Sequence, residues 1–109
     1  HPEAVRGLVS AVNRAMVEII RDPALGAATV KAVEPLVDEA LEKRRIEFAI
    51  KNLIVSEETA RVGLGGLDNA RLARSIESIK AAYEFEGEVS PERVFTADFL
   101  PPVAERTAR

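Results

Sequence analysis

"RVGLGGLDNARLARSI", residues 61–76, carries the choice between two folds. Glycines at 63, 65 and 66 run straight into a helix-like stretch, as they would in a phosphate-gripping loop or in an ordinary turn. A dinucleotide loop follows a strand and leads into a helix whose N-terminus is open to an anion. Here the preceding residues, "SEETAR", are polar and helical in character. Asp68 stands where the next helix begins, so its carboxylate takes up the free N–H groups as N-cap and repels phosphate. No Gly-Lys-Ser/Thr follows, which removes the P-loop reading. The glycines are therefore expected to form a turn into a capped helix.

Working outward, Val5, Leu8, Val9, Val12, Met16, Ile19 and Ile20 recur at helical spacing, with Arg6, Ser10, Asn13 and Glu18 off that stripe. Pro2 suits the first turn of this helix. "RDP" stops it and begins a second, with Asp22 as cap and Pro23 at the first position. Leu25, Ala28, Ala32 and Val33 give a short stripe that Glu34-Pro35 ends or kinks. A third helix is predicted over roughly 36–54, with Glu39–Lys43 and Glu47–Lys51 as i,i+4 pairs. Its apolar residues are Val37, Ala40, Leu41, Ile46, Phe48, Ala49, Ile50 and Leu53. They exceed one narrow stripe, so this helix is expected to touch two neighbours.

The turn region "VSEETARVGLGGL" follows. A fourth helix is predicted from Asn69 to Phe85, with Leu72, Ile76, Ile79 and Tyr83 on its buried face and Gly87 at its end. "SPE" at 90–92 starts a short final turn, and "VFTADFLPPVAERTAR" closes the chain as an extended, frayed tail. Leu8 and Ile76 are placed in the core. No alternating strand is present, so the chain reads as a single mainly α domain over 1–109: about four helices and a short C-terminal turn.

Composition narrows the function classes. At 47% hydrophobic and 30% charged, the 109 residues suit one globular domain. A chain of this size buries about 65% of its unfolded surface. The net charge of −3, with both signs mixed along every segment, gives no basic stripe for nucleic acid. Without cysteine there is no disulfide framework, thiolate metal site or Cys nucleophile. No apolar run approaches the ~20 residues that span a bilayer. His1-Pro2-Glu3 leads directly into a helix, so the targeting segment of an exported protein is expected outside this chain.

Catalytic chemistry is thin. His1 is the only histidine, which excludes a His-based triad or a multi-His metal site within the chain. Glu57-Glu58 reads as a solvated cap, because adjacent helical residues point apart. Lys43-Arg44-Arg45 is surrounded by Glu39, Glu42 and Glu47 and reads as a salt-bridged helix face. Tyr83 and Phe85 could stack on a ligand, but Tyr83 continues the buried stripe. Ser10, Ser75 and Ser78 have no base partner. No catalytic, cofactor or metal residue is assigned.

Three stretches carry a family resemblance. "HPEAVRGLVSAVNRAM" resembles the "hPEaVraf" helix in substrate-binding proteins of ABC importers for nitrate, sulfonate and taurine. "GLGGLDNARLARSIESIKAAYEFEG" resembles that family's Gly-hydrophobic-Asp-x-x-Arg turn and following helix, and "VFTADFLP" its closing Phe-Leu-Pro motif. They occur in family order and cover nearly the whole chain. The resemblance is to the C-terminal part of a two-lobed α/β protein that closes over its ligand at a hinge. It implies an extracytoplasmic or periplasmic receptor for a small polar or anionic solute, partnered in the intact protein by an ABC permease. The wider family includes proteins similar to thiamine pyrimidine-precursor binders and synthases, whose enzymatic members would need an upstream His and Lys constellation. No ligand-contacting residue is carried over, because the family's ligand motifs have no counterpart here. A stand-alone helical interaction module is the alternative. Helices whose sheet partners lie elsewhere are expected to leave apolar surface, so the isolated chain is expected to self-associate.

Overall fold

Asp22 separates the first two helices of the computed structural model, which describes residues 1–108. Its φ of −137° breaks the helical path, and its carboxylate accepts from the backbone N–H groups of Ala24 and Leu25. Helix α1 (Pro2–Arg21) therefore ends where α2 (Pro23–Val33) begins. The chain turns through Glu34–Asp38, held by Lys31, whose Nζ donates to the carbonyls of Pro35 (2.6 Å) and Val37 (2.7 Å). Asp38 caps α3 (Glu39–Ala49), which so starts three residues later than the pattern suggested. A π-helical turn (Ile50–Ile54) finishes it, with the Val55 N–H donating to the Ile50 carbonyl.

The turn region contains a further helix, α4 (Glu57–Val62), over residues whose sequence is helical in character. Its cause is a reciprocal cap: the Ser56 hydroxyl accepts from Thr59 N–H while the Thr59 hydroxyl accepts from Ser56 N–H. Helix α5 runs Asn69–Ala82, stopping before Phe85. Glu84 adopts a left-handed φ of 51°, and the Phe85 N–H reaches back to the Lys80 carbonyl, which closes the helix ahead of Gly87. The one-turn helix α6 (Pro91–Val94) packs on α5, and a 3₁₀ turn (Val103–Arg106) packs on α1. Among the described residues there is no strand, and no helix is long and apolar enough to cross a membrane.

The tightest packing is at α2. Gly26 and Ala27 are buried, and a Cβ on Gly26 would come within 3.1 Å of both Ile46 and Ile19. Small residues thus let α2 sit close between the end of α1 and the inner face of α3. Elsewhere the inward faces differ from the pattern. In α1 the buried residues are Asn13 and Val17, whereas Val5, Leu8 and Val12 are exposed. In α5 Ile76 is buried as expected, but Ile79 and Tyr83 are exposed, Tyr83 at 80%. Of the ion pairs expected on α3, Lys43 pairs with Glu47 instead of Glu39.

Val17, Ala27, Leu64 and Ile76 are the buried apolar residues, and among the described residues no large side chain is fully buried. The accessible surface is 8165 Å². A folded monomer of 11.9 kDa exposes about 6,000 Å². The radius of gyration, 16.9 Å, is likewise larger than the ~13 Å of a compact domain this long. The helices are well formed locally yet cover little of one another. Ile76→Ala should lower stability in urea by ~2–4 kcal/mol as a buried truncation, while Leu8→Ala should stay within ~0.5 kcal/mol, because Leu8 lies in solvent.

Candidate functional site

The glycine turn is a receptacle, and its occupant comes from the far end of the chain. Gly63 ends α4 with φ +77°, and Gly65 has φ +73° in a tight turn closed by the Gly66 N–H on the Gly63 carbonyl (3.0 Å). Both conformations favour glycine because it has no Cβ. The buried side chain of Arg106 enters this turn. Its Nη1 donates to the carbonyls of Val62 (2.7 Å) and Leu64 (3.0 Å), and its Nε donates to that of Pro101 (2.7 Å). In return the Leu64 N–H donates to the Arg106 carbonyl at 2.7 Å. A Cβ on Gly63 would lie 2.8 Å from Arg106 Nη1, and one on Gly66 would lie 2.4 Å from the Val62 carbonyl oxygen. Glycine at these two positions leaves room for the guanidinium.

The polarity of the turn answers the phosphate question. A phosphate loop presents N–H groups to its ligand. This turn presents carbonyls, and Val62 is the last residue of α4, where helix carbonyls lack intrahelical partners and attract cations. The next helix closes the other route. Asp68 caps α5 by accepting from Arg71 N–H at 3.0 Å, and its second oxygen meets Arg61 Nη2 at 3.1 Å. These contacts, the Arg71 backbone bond first and then the Arg61 side chain, hold the Asp68 carboxyl below its ordinary range. A hollow of about 430 Å³ between α4 and α5 is lined by Glu57, Glu58, Arg61, Asp68, Arg71 and Arg74. Arg71 also pairs with Glu58, so acids and bases in the hollow are balanced and largely mutually engaged.

The C-terminal segment is anchored, contrary to the frayed tail expected from its composition. Arg6 of α1 donates to the Asp98 carbonyl (2.8 Å) and lies over the Phe99 ring, 5.6 Å from its centroid. Leu100 seats against Gly65. Asn13, expected on the solvent side of α1, is buried beside the same glycine and donates to the Val9 carbonyl (3.0 Å). Residues 98–106 therefore form a strap that joins the start of α1 to the glycine turn.

The residues weighed as chemical candidates stay apart. His1 precedes α1, exposed and without a capping bond from its side chain. Glu57 and Glu58 occupy the first turn of α4, and Lys43, Arg44 and Arg45 are exposed on α3. Ser78 donates to the Arg74 carbonyl. Tyr83 is not core, and Phe85 is half exposed. Among the described residues no cluster of three or more His, Asp or Glu is placed to hold a metal. Arg106 was not singled out by its sequence, where "AERTAR" is an ordinary charged end. The available signal was indirect: closely spaced glycines beside a capped helix leave space for a neighbour. Comparison with family models, with curated proteins and with solved structures gives no match for this chain.

Gly66→Ala should destabilise the chain by ~1–3 kcal/mol in urea titration, because its Cβ meets backbone rather than a movable side chain. A depressed Asp68 pKa contributes stability that is complete above the ordinary carboxyl value of 3.8 and is lost as pH falls through the lower folded value. Asp68→Asn keeps a capping oxygen but not the titration, so its unfolding midpoint should fall less steeply on acidification than that of the parent.

Proposed function

We propose that this chain serves as the helical C-terminal part of an extracytoplasmic solute receptor for an ABC importer, its ligand a small polar or anionic solute of the nitrate, sulfonate, taurine or thiamine-precursor class. One observation supports the reading. The first of the three stretches that carry the resemblance lies more than forty residues before the other two, yet residues of all three meet at one joint. Arg6 from the first reaches Asp98 and Phe99 in the third, and Leu100 of the third rests on Gly65 in the second. Motifs that meet to hold a scaffold together would occur as a set. In this role the helices buttress the lobes, and the permease is a partner of the intact protein.

A stand-alone helical interaction module is favoured by a different observation, the exposure of Leu36, Phe48 and Leu53 along one segment. The two readings separate on ligand response. Thermal unfolding of the longest natural form of the protein, with nitrate, taurine, an alkanesulfonate and an aminopyrimidine, should show a melting temperature that rises with the concentration of one of them. A melting temperature unmoved by all four, with no heat in titration calorimetry, would contradict the receptor reading.

A further inference from the structure

We propose that residues 98–106 work as a two-point latch, closing on or leaving the seam between α1 and the glycine turn as one unit. The grip at Arg6 then sets how firmly Arg106 sits in its cradle. The two grips are built alike. At one end the Arg6 guanidinium donates to the Asp98 carbonyl and covers the Phe99 ring. At the other the Arg106 guanidinium donates to the carbonyls of Val62 and Leu64. Among the described residues neither arginine has a carboxylate within ion-pair distance. Each grip is thus a cation on neutral acceptors. Ordering the backbone of residues 98–106 costs more than the bonds of either grip alone offset, so the two must hold together.

A stiff stretch of chain joins the grips. Pro101 and Pro102 have φ fixed by their rings. The Leu100 N–H closes a turn on the Ala97 carbonyl (3.0 Å), and the Glu105 N–H closes another on that of Pro102 (3.0 Å). Arg106 Nε donates back to the Pro101 carbonyl, so the guanidinium braces the strap as well as the turn. A stiff segment held at both ends carries a shift at one end to the other. Residues 95–97, outside any helix, connect it to α6 and provide the hinge. The latch also has something to cover. A groove of about 410 Å³ runs between α1 and the strap, with Asn13 and Val17 on one wall and Pro101 and Ala104 on the other. Both Asn13 and Val17 are buried. The position of the strap therefore decides whether this side of α1 is a closed groove or an open face.

This inference does not rest on the receptor reading, which ligand binding tests separately. Amide exchange of the full chain, followed by NMR, tests it in an Arg6→Ala variant. Arg6 is exposed and alanine is the better helix former, so α1 itself is not weakened. Exchange at Leu64, at the opposite grip, should rise about fivefold or more, while amides in α2 and α3 keep the parent's rates. Arg44→Ala, an exposed change on α3, should leave Leu64 within about twofold of the parent. In the reverse direction, Arg106→Ala should erase the ring-current shift that Phe99 gives the Arg6 guanidinium protons, because coupling between two grips is reciprocal. Leu64 exchange unchanged by Arg6→Ala, or an Arg6 shift that survives Arg106→Ala, would overturn the latch by showing that the grips act separately. Protection lost throughout α2 and α3 in Arg6→Ala would overturn it as well, since the strap would then not be a unit of its own.

Discussion

A single guanidinium ties the end of this chain to the glycine turn in its middle. Arg106 takes the carbonyls of Val62, Leu64 and Pro101 as acceptors, and its own carbonyl accepts from Leu64. Hydrogen bonds from a charged donor contribute about 1.5–3 kcal/mol each, while withdrawing the cation from water costs several kcal/mol. Gain and cost are of the same order, so the clamp chiefly selects a geometry. It fixes where the strap ends, and the strap in turn places Phe99 under Arg6 and Leu100 on Gly65. Gly63 and Gly66 follow from the same requirement, since each leaves space that a side chain would fill.

Around that joint the chain is unevenly covered. The packing of α1, α2 and α3 at Gly26 is close, but Leu8, Phe48, Leu53 and Tyr83 face outward. Apolar exposure on this scale is unusual for a monomer and marks contact surface. The receptor reading assigns that surface to lobes of a larger protein, and the interaction-module reading assigns it to a separate partner. The joint itself serves either arrangement, because it braces the helices from within.

Local chemistry made much of the fold legible. Asp22-Pro23 and Asp68 mark their helix starts because a carboxylate cap acts on residues two or three positions away. Ile76 is buried as its periodicity implies. The errors arise where the deciding partner is distant or missing. Leu8 and Tyr83 sit on good helical stripes, yet periodicity says only which face is apolar, not whether anything covers it. Asn13 reads as polar surface but is buried beside Gly65, a contact no local window contains. Helix α4 shows in the sequence only as the helical character of "SEETAR"; its capped start is less legible because Thr59 takes the place usually held by Glu or Gln in a reciprocal cap. The glycine turn was recognised as a turn. Its occupant was out of reach, because nothing in the final residues distinguishes Arg106 from its charged neighbours.

The most direct measurement is amide hydrogen exchange at Leu64, whose N–H donates to the backbone carbonyl of Arg106. In the parent chain this amide should be protected although it lies in a glycine-rich turn. Arg106→Ala keeps the carbonyl but removes the guanidinium, so protection at Leu64 should be lost while amides in α2 and α3 keep theirs. Free exchange at Leu64 in the parent, or undiminished protection in the variant, would contradict the account of the strap as held by Arg106.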